Sequence, residues 1–197
     1  MSFAPLPHTD LYELERQLLE TWREEGLFQR TLDATRSGTP FVFYEGPPTA
    51  NGRPGIHHVF ARTLKDMICR FHTMLGESVT RIAGWDTHGL PVEIQIEKEL
   101  GINGKPEIEA FGVSEFNRRC KSSVFEYLSD WVSLSERIGY WLDYDRPYVT
   151  YTNNYIESVW WLLKQLADKD LLYEGQKVLP YCIRCGTTLS SHELALG

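Results

Sequence analysis

Phe41-Val42-Phe43-Tyr44-Glu45-Gly46-Pro47-Pro48-Thr49-Ala50-Asn51-Gly52-Arg53-Pro54-Gly55-Ile56-His57-His58 is the stretch whose reading decides the fold. Its first four residues form an apolar run short enough for a buried strand. The residues that follow it, Val59 to Phe71, read as a helix, with apolar side chains at 60, 64, 67, 68 and 71 on one face. A strand therefore enters a Gly/Pro-rich turn, and the turn delivers two adjacent histidines, His57 and His58, to a helix start. Unpaired N–H groups and the positive end of a helix dipole favour phosphate there, and two imidazoles can donate to phosphate oxygens. The plain alternative is an ordinary strand-to-helix connection with surface histidines.

Working outward, Glu77 to Ala83 reads as a second strand that ends in Gly84-Trp85-Asp86-Thr87-His88-Gly89-Leu90-Pro91. Pro91 can open a helix carrying Val92, Ile94, Ile96 and Leu100. Strand, helix, strand, helix with short turns predicts an α/β fold with a parallel, doubly wound sheet. In such sheets ligands sit at the carboxyl ends of strands. Both special turns, 44–58 and 84–91, fall at strand carboxyl ends and read as parts of one site. Asp86 suits a general base, a metal ligand or a counter-ion for an ammonium group; an ordinary helix N-cap is its bland reading. His88 reads equally well as a structural hydrogen-bonder. No Ser–His–acid arrangement and no G-x-x-x-x-G-K-[ST] phosphate loop occurs.

Elsewhere the pattern gives a helix over 10–26, with Asp10 and Glu13 as a capping box, a stripe of Leu11, Leu14, Leu18 and Trp22, and Gly26 as the C-terminal cap. Residues 31–40 and 101–106 read as loops, 114–138 as one long helix, 141–145 and 148–151 as short extended pieces, and 154–169 as a second strong helix. Trp160 and Trp161 on that helix suit core packing better than a nucleobase platform. Residues 172–181 read as a strand or hairpin leading into Cys182-Ile183-Arg184-Cys185-Gly186. That C-x-x-C-G is a zinc-knuckle pattern supplying two ligands, Cys182 and Cys185, with His192 a candidate third. A redox pair is the rival, but it should open a helix, and Gly186-Thr187-Thr188 does not continue helically. Cys69 and Cys120 lie inside predicted helices and are poor ligands.

With 197 residues the chain can bury a sizeable core. A net charge of -7 gives no overall electrostatic footprint for nucleic acid, although a local basic patch can coexist with it. The start, Met1-Ser2-Phe3-Ala4-Pro5, lacks the features of a signal peptide, and no apolar run is long enough to span a bilayer. Four cysteines without a disulfide framework suit reduced thiols and a cytoplasmic location. The ending Glu193-Leu194-Ala195-Leu196-Gly197 reads as a cut or a module boundary.

Three motifs in register, Glu45–Gly52, Gly84–Pro91 and Pro180–Gly186, together resemble the isoleucyl-tRNA synthetases, which are class I aminoacyl-tRNA synthetases. The resemblance runs through essentially the whole chain. It implies the first half of a Rossmann-type catalytic domain, with an N-terminal helical arm (1–40), the nucleotide-binding half-fold with a helical insertion (41–150), and a helix plus the root of the editing insertion (151–197). It implies activation of L-isoleucine by ATP and Mg²⁺, transfer to tRNA(Ile), a monomer, and no membrane. By resemblance Gly46, Pro47 and Asp86 hold the amino acid, Asp86 and the Pro47 carbonyl taking its ammonium. Asn51, Gly55, His57 and His58 meet ATP, the two histidines being catalytic. Cys182 and Cys185 give half of a Zn²⁺ site. One departure stands out: the family's His-x-Gly-His reads here Gly55-Ile56-His57-His58, so the first histidine and the glycine have traded places. The resemblance associates this variant with tolerance of adenylate mimics. It also implies that the second half of the catalytic fold, the editing domain and the anticodon-binding region lie outside these residues. A non-catalytic synthetase-like module that binds nucleotide, tRNA or a partner protein is the alternative. Another nucleotidyl-transfer enzyme of the superfamily is argued against by Trp85-Asp86 and the cysteine knuckle.

Overall fold

The computed structural model describes residues 10–195. In chain order the elements are α1 (Leu11–Glu24), α2 (Leu27–Ala34), β1 (Pro40–Tyr44), α3 (Ile56–Met74), β2 (Ser78–Trp85), α4 (Leu90–Leu100), α5 (Lys105–Phe111), α6 (Val113–Ser123), α7 (Leu128–Arg137), β3 (Asp143–Val149), α8 (Asn153–Ala167), β4 (Tyr181–Cys182), β5 (Thr187–Thr188) and α9 (Ser191–Ala195). They fall into two compact units. Among the described residues the first holds 10–46 with 53–83 and 129–147; the second holds 47–52, 84–128 and 148–195.

In the first unit β1 and β2 pair in parallel, from Pro40 opposite Ser78 to Tyr44 opposite Ile82, with α3 as the crossover. The sheet order is β1-β2-β3, so β1 is an edge. The predicted parallel α/β pattern is present, but β1 is not a buried strand. It alternates, with Phe41 and Phe43 half-buried and Val42 and Tyr44 exposed, as an edge strand covered on one face does. The core of this unit gathers Ala83, Tyr140 and Leu142, with Phe43, Ile138 and Tyr144 packed against them.

Helix α3 inverts the expected arrangement. Its buried residues are Arg62, Asp66 and Cys69, while Phe60, Leu64, Met67, Ile68 and Phe71 are exposed. The reason lies on β2. Arg81 is 3% exposed and donates to Asp66 Oδ1 at 2.8 Å; Arg70 Nε donates to Asp66 Oδ2 at 2.5 Å. A buried guanidinium needs a buried carboxylate, so the polar face of α3 turns inward. Arg70 also lies over the Trp141 ring, 3.7 Å from its centroid. Helix α1 is capped by Asp10, which accepts from the N–H groups of Tyr12 and Glu13. Its end is at Gly26, whose φ of +56° suits a residue without a Cβ. Arg137 holds α1 through Glu15 at 2.8 Å. The segment 31–40 is not all loop, because α2 starts directly after Gly26 and runs to Ala34.

In the second unit α4 buries Val92 and Ile96 and packs on α6, which buries Phe116. The predicted helix over 114–138 is two helices. It breaks after Ser123, and beyond the break the Tyr127 N–H reaches the Ala50 carbonyl at 3.1 Å. That long-range bond overrides local helical periodicity. Helix α8 is where sequence placed it, but it buries no residue: Trp160 and Trp161 are 70% and 60% exposed, so the core assignment of this pair is not met. Residues 171–180 are extended to solvent without strand pairing, and only Tyr181-Cys182 and Thr187-Thr188 form a short antiparallel ladder. On β2, Gly84 has no side chain because the Tyr148 ring lies directly where a Cβ would go. Tyr148 in turn stacks on Tyr155 of α8, with centroids 5.8 Å apart. Among the described residues no helix is long and apolar enough to cross a membrane.

Candidate functional site

The residues singled out by the sequence fall in two clusters, one in each unit. In the first unit Gly55 is the N-cap of α3, in extended conformation. Its N–H donates to His58 Nδ1 at 2.9 Å, while the His58 N–H returns to the Gly55 carbonyl at 3.0 Å. Because Nδ1 accepts, the neutral ring carries its proton on Nε2, leaving that N–H as a donor. Burial, then His57, Arg62 and Lys65, lower the His58 pKa from its ordinary 6.5, so the ring is neutral at pH 7. Its edge rests on Trp131 at 4.5 Å, and Arg62 lies over that same indole at 4.8 Å. His57 is exposed and lies 3.8 Å from the His58 ring.

Beneath this helix start, Glu45 is 2% exposed. It accepts from Lys65 and, at 2.5 Å, from the Tyr140 hydroxyl, and it faces Arg62 at 4.0 Å. Burial and the Glu45 carboxylate push the Tyr140 phenol far up. Arg62 donates onward to Ser135. Gly46 follows Glu45 and is exposed, with Lys65 Nζ 3.7 Å from where its Cβ would stand. The network ties the end of β1 to the first turns of α3, so it fixes where the histidine-bearing helix begins.

In the second unit the turn 47–52 lies along the end of β2. The Asp86 N–H donates to the Pro48 carbonyl at 2.9 Å, and Thr49 forms a parallel bridge with Asp86. Pro47 is half-buried at the head of this turn. Asn51 donates its side-chain N–H to the Pro91 carbonyl at 3.2 Å, fastening the turn to α4. Asp86 is not a helix cap: α4 is capped by Gly89. Its carboxylate is part-exposed, with His88 Nδ1 3.9 Å away. The bland reading of His88 fits its contact, Nδ1 being 2.9 Å from Thr150 Oγ1. Thr150, at the carboxyl end of β3, is 6% exposed and also accepts from the Thr87 N–H. Sequence reasoning passed over Thr150, Glu45, Arg62 and Trp131. None lies in a chemically distinctive spacing, although Glu45 opens the Gly/Pro-rich turn.

Cys182 and Cys185 sit on a tight turn between β4 and β5. The Cys185 N–H donates to Cys182 Sγ at 3.4 Å, and the Gly186 N–H to the Cys182 carbonyl at 2.9 Å. The Cys185 N–H, then the Cys185 thiol and Arg184, lower the Cys182 thiol and favour its thiolate. Arg184, between the cysteines, clips the turn to Glu97 at 2.6 Å and Asn103 at 2.8 Å. This donor set fits two zinc ligands. Among the described residues no cluster of three or more metal-ligating side chains occurs, and the side chain of His192 lies outside them. Gly186 leads into β5 and not a helix, against a redox pair.

Residues 17–196 match the family model described as tRNA synthetases class I (I, L, M and V). The chain is 55% identical to an isoleucine–tRNA ligase of Dehalococcoides mccartyi over 97% of its own length and 19% of the relative's. It is 56% identical to that of Clostridium acetobutylicum over 94% of its length, and 54% identical to that of Thermobifida fusca over 99%, each covering 18% of the relative. The chain thus spans about a fifth of the length of these curated relatives. The fold is also similar to part of LeuRS from Agrobacterium radiobacter K84, solved as a ternary complex with tRNA and LeuAMS. That match has a TM-score of 0.50 at 21% identity and covers 85% of this chain and 19% of that one.

Proposed function

This chain belongs to the family of tRNA synthetases class I (I, L, M and V), and from that premise we propose that it is part of an isoleucine–tRNA ligase, supplying the first half of the nucleotide fold and the root of the editing insertion. The observation that carries this is the 54–56% identity to isoleucine–tRNA ligases over nearly the whole chain. In the reaction, an isoleucine carboxylate oxygen attacks the α-phosphorus of ATP and the bond to pyrophosphate breaks. A hydroxyl of the terminal tRNA ribose then attacks the isoleucyl carbonyl and AMP leaves. No protein nucleophile is required; catalysis is positioning plus stabilisation of phosphate charge.

The residue types suit those tasks. Neutral His58, its Nδ1 engaged by the Gly55 N–H, offers a fixed Nε2–H to a phosphate oxygen. His57 stands beside it and takes the phosphate contact of the family's displaced histidine. Gly55 and Asn51 complete the ATP-binding set. Asp86, its backbone tied to the 47–52 turn, receives the substrate ammonium together with the Pro47 carbonyl, and Gly46 lines the amino-acid pocket. Mg²⁺ accompanies ATP and neutralises phosphate charge. Cys182 and Cys185 would hold one side of a structural zinc, whose remaining ligands come from outside the described residues. The domain reading stays as an arm over 1–40, a half-fold over 41–150 and the insertion root over 151–197. A cytoplasmic monomer fits this reading.

The test is isoleucine-dependent exchange of pyrophosphate into ATP by the full-length synthetase that carries this chain. Exchange with isoleucine well above that with leucine, methionine or valine supports the reading; exchange preferring another amino acid, or none, overturns it.

A further inference from the structure

One buried hydroxyl reaches all three residues of the Asp86-Thr87-His88 turn. Thr150 Oγ1 lies 3.1 Å from the Thr87 N–H, 3.0 Å from Thr87 Oγ1, 2.9 Å from His88 Nδ1 and 3.5 Å from Asp86 Oδ1. Thr150 and Thr87 are 6% and 5% exposed, so their protons need partners within the protein. Thr87 Oγ1 already accepts the Tyr151 N–H at 3.1 Å. A hydroxyl has one proton and two lone pairs. If Thr150 donated to Thr87, the Thr87 proton would be left without a partner among the described residues. The arrangement that places every proton has Thr87 donating to Thr150. Both Thr150 lone pairs are then filled, by the Thr87 N–H and O–H, and its single proton goes mainly to His88 Nδ1 at 2.9 Å, with Asp86 Oδ1 at 3.5 Å as the second, longer acceptor. The Thr150 N–H is in turn fixed to the Trp85 carbonyl at 3.2 Å, so the hydroxyl is carried on paired backbone.

We infer that Thr150 is a positioning residue for Asp86: its hydroxyl sets the carboxylate that receives the amino group of the amino-acid substrate. This rests on the isoleucine-activating reading above and deepens it. Thr150 itself need not touch substrate. It holds the 86–88 turn at three consecutive residues, so its loss frees the carboxylate to leave the direction an ammonium requires.

The hydroxyl is removed by Thr150→Val and kept by Thr150→Ser, both in the full-length synthetase. Thr150→Val should raise KM for isoleucine on the order of tenfold, with KM for ATP within about twofold, while Thr150→Ser stays close to the parent. Two competitive inhibitors separate positioning from general damage. Isoleucinol keeps the ammonium and should weaken in Thr150→Val by the same factor as isoleucine. 2-Hydroxy-3-methylpentanoate has no ammonium and should be unaffected. Equal weakening of both inhibitors, an unchanged KM for isoleucine, or a Thr150→Ser variant that loses isoleucine affinity overturns the inference; the serine variant keeps the test decisive if the valine variant does not fold. An inactive parent would instead count against the reaction assigned to the chain.

Discussion

The imidazole of His57 crowds the place where a side chain on Gly55 would begin: Cε1 and Nδ1 lie 3.0 and 3.1 Å from the position of a Cβ there. The two positions that, by resemblance, depart from the family's signature therefore stand in direct contact range of each other.

Changing them singly and together should give different results. Gly55→His alone meets the His57 ring and should lose more exchange activity than Gly55→His combined with His57→Gly. The double variant of the full-length synthetase should turn over within about tenfold of the parent, equivalent to about 1.4 kcal/mol of barrier, and become more sensitive to adenylate mimics. Additive single effects, or unchanged inhibition, would contradict the coupling.

His58 sets a pH dependence of known sign. Its pKa is below 6.5 in the folded chain, through burial first and its cationic neighbours second. Well above pH 6.5 the ring is neutral folded or unfolded and contributes no slope. As pH falls below 6.5 the unfolded chain takes up the proton first, so stability is lost until pH passes the folded pKa. Urea unfolding of this chain at pH 7 and pH 5 should show a larger loss for the parent than for His58→Gln, which retains an acceptor for the Gly55 N–H.

Glu45 compensates buried charge. Replacing it with leucine leaves Arg62, 3% exposed, without its carboxylate and removes the acceptor of the Tyr140 hydroxyl. Destabilisation of about 3–5 kcal/mol is expected, against about 1–2 kcal/mol for Tyr140→Phe. Chemical denaturation of the 197-residue chain measures both; a Glu45→Leu variant as stable as the parent would show the network to be dispensable.

The knuckle should bind zinc weakly by itself. Two thiols are half of a tetrahedral set, so chelator competition should show much weaker zinc binding for this chain than for the full-length synthetase. Cys182→Ser or Cys185→Ser in the latter should lower its zinc content. Tight binding by the chain alone would mean that it supplies further ligands itself.

The chain alone should charge no tRNA. It spans about a fifth of the length of its relatives, and the resemblance places essential parts of the reaction elsewhere. Detectable isoleucylation by the purified chain would refute this.

How far the sequence was legible depends on what each pattern encodes. Parallel β1 and β2, the caps at Asp10 and Gly26, and the turn into His57 and His58 follow from local rules of backbone geometry. The direction of α3 does not. Periodicity finds an apolar stripe at 60, 64, 67, 68 and 71, but the buried side was decided by Arg81, eight residues beyond Thr73 and on another element. The break between α6 and α7 is likewise set by a distant acceptor, Ala50. Asp86 was visible because its motif is distinctive. Thr150, which touches it, is one threonine at a strand end, and only the fold brings it 64 residues back along the chain.

Gly84 and Tyr148 have an evolutionary consequence. The ring fills the volume of the missing side chain, and through Tyr155 it bears on α8. A Cβ at 84 would push the Tyr148 ring from its place and disturb its stacking on Tyr155 of α8, whereas a smaller residue at 148 would leave room for that Cβ. The order of change therefore matters: a side chain at 84 meets the ring if it comes first and finds space if position 148 is shortened before it.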